Sequence, residues 1–482
     1  MSRVKVTVLS DGNAQSLVRA LVEAFAAADG IAEEDERRIS AVVERLVGFT
    51  LDNAYPDDDL GEIEVTLESA DGSVQVSVHD WGRPLMSAGG IFGPLPESLA
   101  ALGPDARDVL LMNLGSDGKR LTAEVAVRAG GDGQAERHHI EAAPRRAQAG
   151  DDASDAVEVR TATPEDCEAI AQLLYENYHL SYVHADFYWP RYLMAAFASG
   201  ELLSTIAVHD GLVIGHHALM PVAGVPSAET GAAVVHSAYR GLGVFGQMFE
   251  HTLDTARERG LASVFGDAVT IHPFSQRAES SHGYRETALQ LGMLPAQTTM
   301  RGFGGKGPGK RTATLRSYRP FEEHSRQVAL PAAYRKLLES IYANVGLSTE
   351  VRSEAAPLEG DAVTAAFDKP RSLGFLRVRR WDEDGASSLK QAVRRLLSQH
   401  ADVVYADVDL AAVSDVDEAT AEANELGFLV AGLVLDGLDG HDHMRLQLLD
   451  TMKIELENVV CDSSFAKGLM QRVLEDKARV GG

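Results

Sequence analysis

Cysteine is nearly absent from this 482-residue chain. Cys167 and Cys461 lie far apart, which excludes a disulfide framework and a cysteine-rich metal site. Basic residues are outnumbered, 45 Lys and Arg against 71 Asp and Glu, for a net charge of −26. A field of that sign repels phosphate backbones and anionic lipid, so neither a nucleic-acid nor a membrane partner is expected. No apolar run reaches about 18 residues, the length that spans a bilayer. The opening MSRVKVTVLSDG lacks the apolar core of a signal peptide, and a cytoplasmic location is expected. What is present is globular in composition, 45% apolar and 24% charged. At about 150 residues per domain the length suggests roughly three domains.

Two stretches poor in large apolar side chains read as linkers, 143–156 (APRRAQAGDDASDA) and 304–311 (GGKGPGKR). They divide the chain into 1–142, 157–303 and 312–482, an α+β or α/β multidomain protein. The first piece reads as helix, helix, hairpin, helix, strand. Ile39, Val42, Val43, Leu46 and Phe49 share one helical face, and Asp71-Gly72 joins two alternating strands. The second opens with Thr163 as N-cap, Pro164 at the first helical position and Asp166 at capping-box spacing. A hairpin at Asp210-Gly211 follows.

Chemistry is concentrated in Arg240-Gly241-Leu242-Gly243-Val244-Phe245-Gly246, between a predicted strand and a predicted helix. Glycines leave backbone N–H groups unshielded, and a helix's first turn presents unpaired N–H groups with a favourable dipole, an arrangement suited to a diphosphate. The alternative is a simple tight turn. With its flanking elements, this loop resembles the signature of the GNAT acyltransferase superfamily over about 157–303. Arg240 and Gly243 match that signature, Phe245 stands at its last small position, and Gly283-Tyr284 resembles the Gly-Phe that ends the next helix.

The resemblance implies acetyl-CoA or another acyl-CoA held between two splayed parallel strands. Its pyrophosphate would lie on Arg240, Gly241, Gly243, Val244, Phe245 and Gly246, and a backbone N–H near Val234 or Val235 would polarise the thioester carbonyl. Many relatives carry a Tyr four residues before the Gly-aromatic pair; here Glu279 stands there. His272, His236 and Glu279 are the candidate acids and bases, against structural roles for the histidines and a solvated surface charge for Glu279. Tyr284 reads as core. Tyr178, Tyr182, Phe187, Tyr188, Trp189 and Tyr192 form either a lid over an acceptor or an aromatic mini-core. No metal site is expected.

The first piece resembles the histidine-kinase-like ATPase superfamily, particularly anti-sigma-factor-type serine kinases, over roughly 10–130, and implies an α/β sandwich. Asp80-x-Gly82-x-Pro84 fits the motif whose Asp binds the adenine amino group. Aligning Asn53-Ala54-Tyr55 with the family's His-Ala-Tyr puts Arg45 at the catalytic Glu and Phe49 at the Mg-binding Asn. No Gly-rich second nucleotide motif follows, since 89–104 reads GGIFGPLPESLAALGP. ATP and Mg²⁺ are therefore not expected to serve, and a regulatory or structural remnant is. The third piece resembles the back half of a second GNAT domain, with Gly427-Phe428 in place. Acids in DEDGASSLKQAV stand where an anion would bind, so this copy is expected to hold no CoA but to pack against the first or complete an acceptor cleft. Residues 451–482 read as an exposed, charged helix.

Together these features point to an acyl-CoA-dependent N-acyltransferase acting on a small-molecule amine or a protein lysine. The acid excess favours a cationic acceptor. The alternative is a non-catalytic acyl-CoA sensor whose N-terminal module grips a protein partner, and an active serine kinase is disfavoured.

Overall fold

The computed structural model describes residues 2–55, 60–70, 72–85, 99, 106–127, 157–296, 310–322, 325–352, 354–355, 359–437, 440–449, 454, 456 and 459–480. The linker 143–156 and most of 89–104 and 304–311 lie outside them. The chain starts with β1 (Arg3–Leu9), α1 (Ala14–Asp29), α2 (Glu33–Ala54), β2 (Glu62–Ala70), β3 (Ser73–Asp80), β4 (Arg107–Asn113) and β5 (Lys119–Ala126). These strands form an antiparallel sheet in the order β1-β2-β3-β5-β4. Its core joins Val18, Val22, Ile39, Val42 and Leu46 of the helices to Ile63, Val65, Val76 and Leu121 of the strands. Strands β1 and β4 were not expected. In β1 the outward residues Arg3, Lys5 and Thr7 break up the apolar signal, and its register is supplied by pairing with β2.

The remaining chain runs β6 (Glu158–Thr161), α3 (Cys167–Tyr178), α4 (Pro190–Ser199), β7 (Leu203–His209), β8 (Leu212–Pro221), β9 (Ser227–Val235), α5 (Val244–Glu258), β10 (Ser263–Val269), α6 (Phe274–Ser281), β11 (Arg285–Leu294) and β12 (Thr312–Pro320). After it come β13 (Arg326–Val328), α7 (Arg335–Val345), β14 (Thr349–Val351), β15 (Val363–Asp368), β16 (Leu373–Val378), α8 (Gly385–Ser398), β17 (Val403–Asp409), α9 (Val416–Glu425), β18 (Leu429–Val434), β19 (His443–Leu449) and α10 (Ser464–Val480). A short turn of helix ahead of α3 carries the expected capping box of Thr163 and Asp166. Asp210 and Gly211 take positive φ, 50° and 78°, as the tight β7–β8 hairpin requires.

One twelve-stranded sheet, ordered β15-β16-β17-β19-β18-β11-β12-β10-β9-β8-β7-β6, contains all but β13 and β14 of these strands. Strand β12 lies between β10 and β11 and pairs with both along its length. The boundary expected at 304–311 therefore falls inside the sheet of the middle piece, which continues to Pro320. The order β10-β12-β11 recurs as β17-β19-β18, and each set has a parallel partner, β9 on β10 and β16 on β17. The two sets meet where β11 pairs with β18 at Ala288 and Gly432. Gly432 allows that approach, since a Cβ there would lie 2.1 Å from the Thr287 carbonyl oxygen.

Helix α10 is not the exposed segment expected. It buries Ala466, Leu469 and Val473, and its Asp476 accepts hydrogen bonds from the Val430 N–H (2.7 Å) and the Tyr334 hydroxyl (2.8 Å). The described residues thus form a mixed α/β multidomain fold. Among them no helix is long and apolar enough to cross a membrane.

Candidate functional site

Strands β9 and β10 begin as a parallel pair, Ser227–Thr230 against Ser263–Gly266, and then part. The cause lies in β9: its register against β8 shifts between Gly231 and Val234, and Ala232 takes a φ of 46°, a strained value for a residue with a Cβ. Beyond the bulge the His236 N–H donates to the Ile214 carbonyl on β8. By the alternation of an antiparallel ladder, the Val235 N–H then faces the wedge. In the C-terminal copy β16 and β17 stay paired from Leu373–Val403 through Val378–Val408, and no wedge opens.

At the mouth of the wedge α5 begins. Gly241 and Gly243 adopt φ of 84° and 78°, Gly243 is the N-cap, and a Cβ on Gly241, Gly243 or Gly246 would meet nothing within 4 Å. The space beside these three glycines at the start of α5 is therefore open. Arg240 stiffens this turn by donating to the Val235 carbonyl (3.2 Å) and to Asn177 Oδ1 (2.7 Å). Phe245 does not block it, but packs beside Phe249 at 5.7 Å between ring centroids.

A cleft of about 860 Å³ runs from this turn across the wedge and into the C-terminal copy. Val234, Val235, Arg240, Gly241, Gly243, Val244 and Phe245 line it, whereas Gly246 does not. Of the candidate acids and bases, Glu279 and His272 line the cleft and His236 does not. The His236 ring instead accepts from the Ala238 N–H (3.3 Å) and lies 3.8 Å from Glu176, outside the wedge. Burial lowers the pKa of both histidines. Glu279 is not a solvated charge. It is buried against Gly266, and burial pushes its carboxyl up to about 8.

Glu229, not among the candidates visible in sequence, also belongs to the site. It stands on β9 just before the strands part, and its exposed portion faces the cleft. Burial, reinforced by Asp267, pushes it up to about 7. The available signal was one acid inside an otherwise apolar and small-residue strand, SAETGAAVV. Asp267 itself is held ionised by bidentate bonds from Arg316, at 3.0 and 2.6 Å. The aromatic cluster divides: Tyr178 and Tyr182 line the cleft, Phe187 and Tyr188 are core, and Trp189 and Tyr192 are exposed. Tyr284 is buried with its hydroxyl 3.0 Å from that of Thr230. Among the described residues no group of His, Cys, Asp and Glu could hold a metal ion.

In the N-terminal unit Asp80 is buried with Lys119, whose Nζ lies 2.5 Å from Asp80 Oδ1 and 2.9 Å from the Arg83 carbonyl. Phe49 is buried in the core. The loop after Asp80 docks on α3: Arg83 pairs with Glu176 at 2.6 Å, and Gln172 donates to the Pro84 carbonyl at 3.2 Å.

No protein-family model and no curated protein matches the chain. Solved structures to which it is similar include a ribosomal-protein-alanine N-acetyltransferase from Brucella melitensis, at 18% identity over 34% of this chain and 99% of that one, with a TM-score of 0.28. An N-acetyltransferase from Staphylococcus aureus matches at 11% identity over 34% and 99%, TM-score 0.29. The protein yncA from Salmonella typhimurium, solved with its cofactor acetyl-CoA, matches at 20% identity over 35% and 96%, TM-score 0.29. Structure neighbours are thus GNAT acetyltransferases over about a third of the chain.

Proposed function

We propose that the chain is an acyl-CoA-dependent N-acyltransferase, with acetyl-CoA the default donor and an amine the acceptor. The observation that carries this reading is the wedge itself, a parallel pair forced apart at Ala232 with the exposed N-terminus of α5 at its mouth. In this reading the diphosphate rests on N–H groups of Gly241 through Gly246, the pantetheine arm lies between β9 and β10, and the Val235 N–H faces the thioester oxygen. That donor acts where negative charge develops on attack. Glu229 takes the proton of the acceptor ammonium, and the freed nitrogen forms its bond to the carbonyl carbon. The C–S bond breaks, Glu279, protonated at neutral pH, gives its proton to the departing thiolate, and the carboxylate so formed takes the second proton of the nitrogen, leaving a neutral amide. His272 borders the same space; His236 positions the turn after β9.

The middle unit extends from about 157 to 320, and the C-terminal copy contributes walls rather than a donor site. The N-terminal unit, which resembles the kinase-like ATPases, is non-catalytic in this reading, because Lys119 engages Asp80 and Phe49 offers no oxygen to Mg²⁺. A second reading, an acyl-CoA sensor, draws on the contact of Arg83 with Glu176 beside the Arg240 turn. Calorimetry with acetyl-CoA, followed by release of free CoA thiol over an amine library, divides the two. Binding with turnover supports the enzyme, binding without turnover the sensor, and no binding removes both.

A further inference from the structure

The cleft does not end at the middle unit. Its far wall belongs to the C-terminal copy and includes Arg371, from the turn between β15 and β16, with Phe375 and Arg445. Arg445 is committed: Asp407 holds it at 2.7 Å through both Nε and Nη2, and it donates to Gln290. Its cross-strand pairing with Asp407 repeats that of Arg316 with Asp267, so each half brings a neutralised Arg–Asp pair to the junction. Arg371 differs. Asp368 holds its Nε and Nη2, both at 2.6 Å, while Nη1 makes no hydrogen bond among the described residues. The pocket is therefore bipolar, with carboxyls of Glu229 and Glu279 on the wedge side and an open guanidinium edge opposite.

Resting on the acyltransferase reading, we propose that the acceptor is an amine that also carries a carboxylate, its anionic end held by Arg371 while its nitrogen lies beside Glu229. A planar guanidinium edge suits a carboxylate, and Phe375 supplies an apolar wall for the atoms between the two charged ends. This replaces the purely cationic acceptor favoured by the overall charge, since Arg371 Nη1 offers the far wall a guanidinium donor that Asp368 does not take up. The inference also gives the C-terminal copy a reason to be fused through β11 and β18: it sets the distance between base and anchor.

The test measures CoA-thiol release from acetyl-CoA by the full-length protein with amino acids and short acidic peptides, with their methyl esters, and with spermidine. Acids are expected to be turned over at least tenfold more efficiently than their esters. Arg371→Gln is expected to raise KM for the acids at least tenfold, leave the esters unaffected and leave acetyl-CoA affinity by calorimetry unchanged, with partial rescue by Arg371→Lys. Esters or spermidine turned over as well as the acids, or an acid-to-ester ratio indifferent to Arg371→Gln, would overturn the proposal while leaving the donor reading intact. So would donor binding with no carboxylate amine acylated. Loss of acetyl-CoA binding in the unaltered protein would instead remove the reading on which it rests.

Discussion

Glu229 and Glu279 carry the sharpest expectations. A base whose carboxyl is pushed up to about 7 and an acid held near 8 predict a bell-shaped kcat/KM with limbs close together. Because the two carboxyls feel one another's surroundings, the limbs are properties of the set rather than of one residue. Glu229→Gln is expected to lower kcat by about 10²-fold or more and to remove the acid limb. Glu279→Gln removes the alkaline limb. Stability should follow Glu279 too. Its folded carboxyl holds a proton more tightly than the unfolded one, so this contribution is complete below about pH 4.5, declines as pH rises and is gone above about 8. Thermal melts of Glu279→Gln should therefore be flatter across that window. Neither role was fully legible in the sequence. Glu279 was found by its place before Gly283-Tyr284, but its burial depends on Gly266 of a neighbouring strand; Glu229 acquires its meaning only when β9 meets Asp267 and Arg316.

At the scale of elements, the turn into α5 was legible because its signal is local: glycines, a strand before and an amphipathic helix after. Gly243→Asp puts a negative charge against the diphosphate and is expected to weaken acetyl-CoA binding at least tenfold, about 1.4 kcal/mol. Gly243→Asn separates charge from strain, since both side chains tolerate a left-handed backbone; its Kd should stay much nearer the wild-type value. What local pattern did not reveal is sheet order. Residues 304–311 have the composition of a linker, and a connection between two consecutive strands of one sheet, here β11 and β12, has that composition too. Helix α10 misled for a related reason. Its charges are plain in sequence, while its buried stripe is narrow and its partners, Val430 and Tyr334, are remote. Leu469→Ala is expected to destabilise by about 2–5 kcal/mol in denaturant unfolding, a value an exposed helix would not give.

For the whole molecule, the single sheet running through both halves of residues 157–480 predicts that they do not separate. Expressed without residues 321–482, the middle unit would present β11 as a bare edge and should associate or precipitate, which light scattering would report. The front unit stands apart from that sheet and touches α3 through Arg83 and Pro84. ATP with Mg²⁺ is expected to give no binding heat in calorimetry. The reason lies in one buried ammonium. Lys119 is fastened to the strand beside Asp80, so its local concentration never falls with dilution, and a purine amino group arriving from solution would have to evict a rival that cannot diffuse away. In the proposed reading such a site is closed to metabolite levels, and whatever reaches the cleft through this unit arrives by touch at its outer surface.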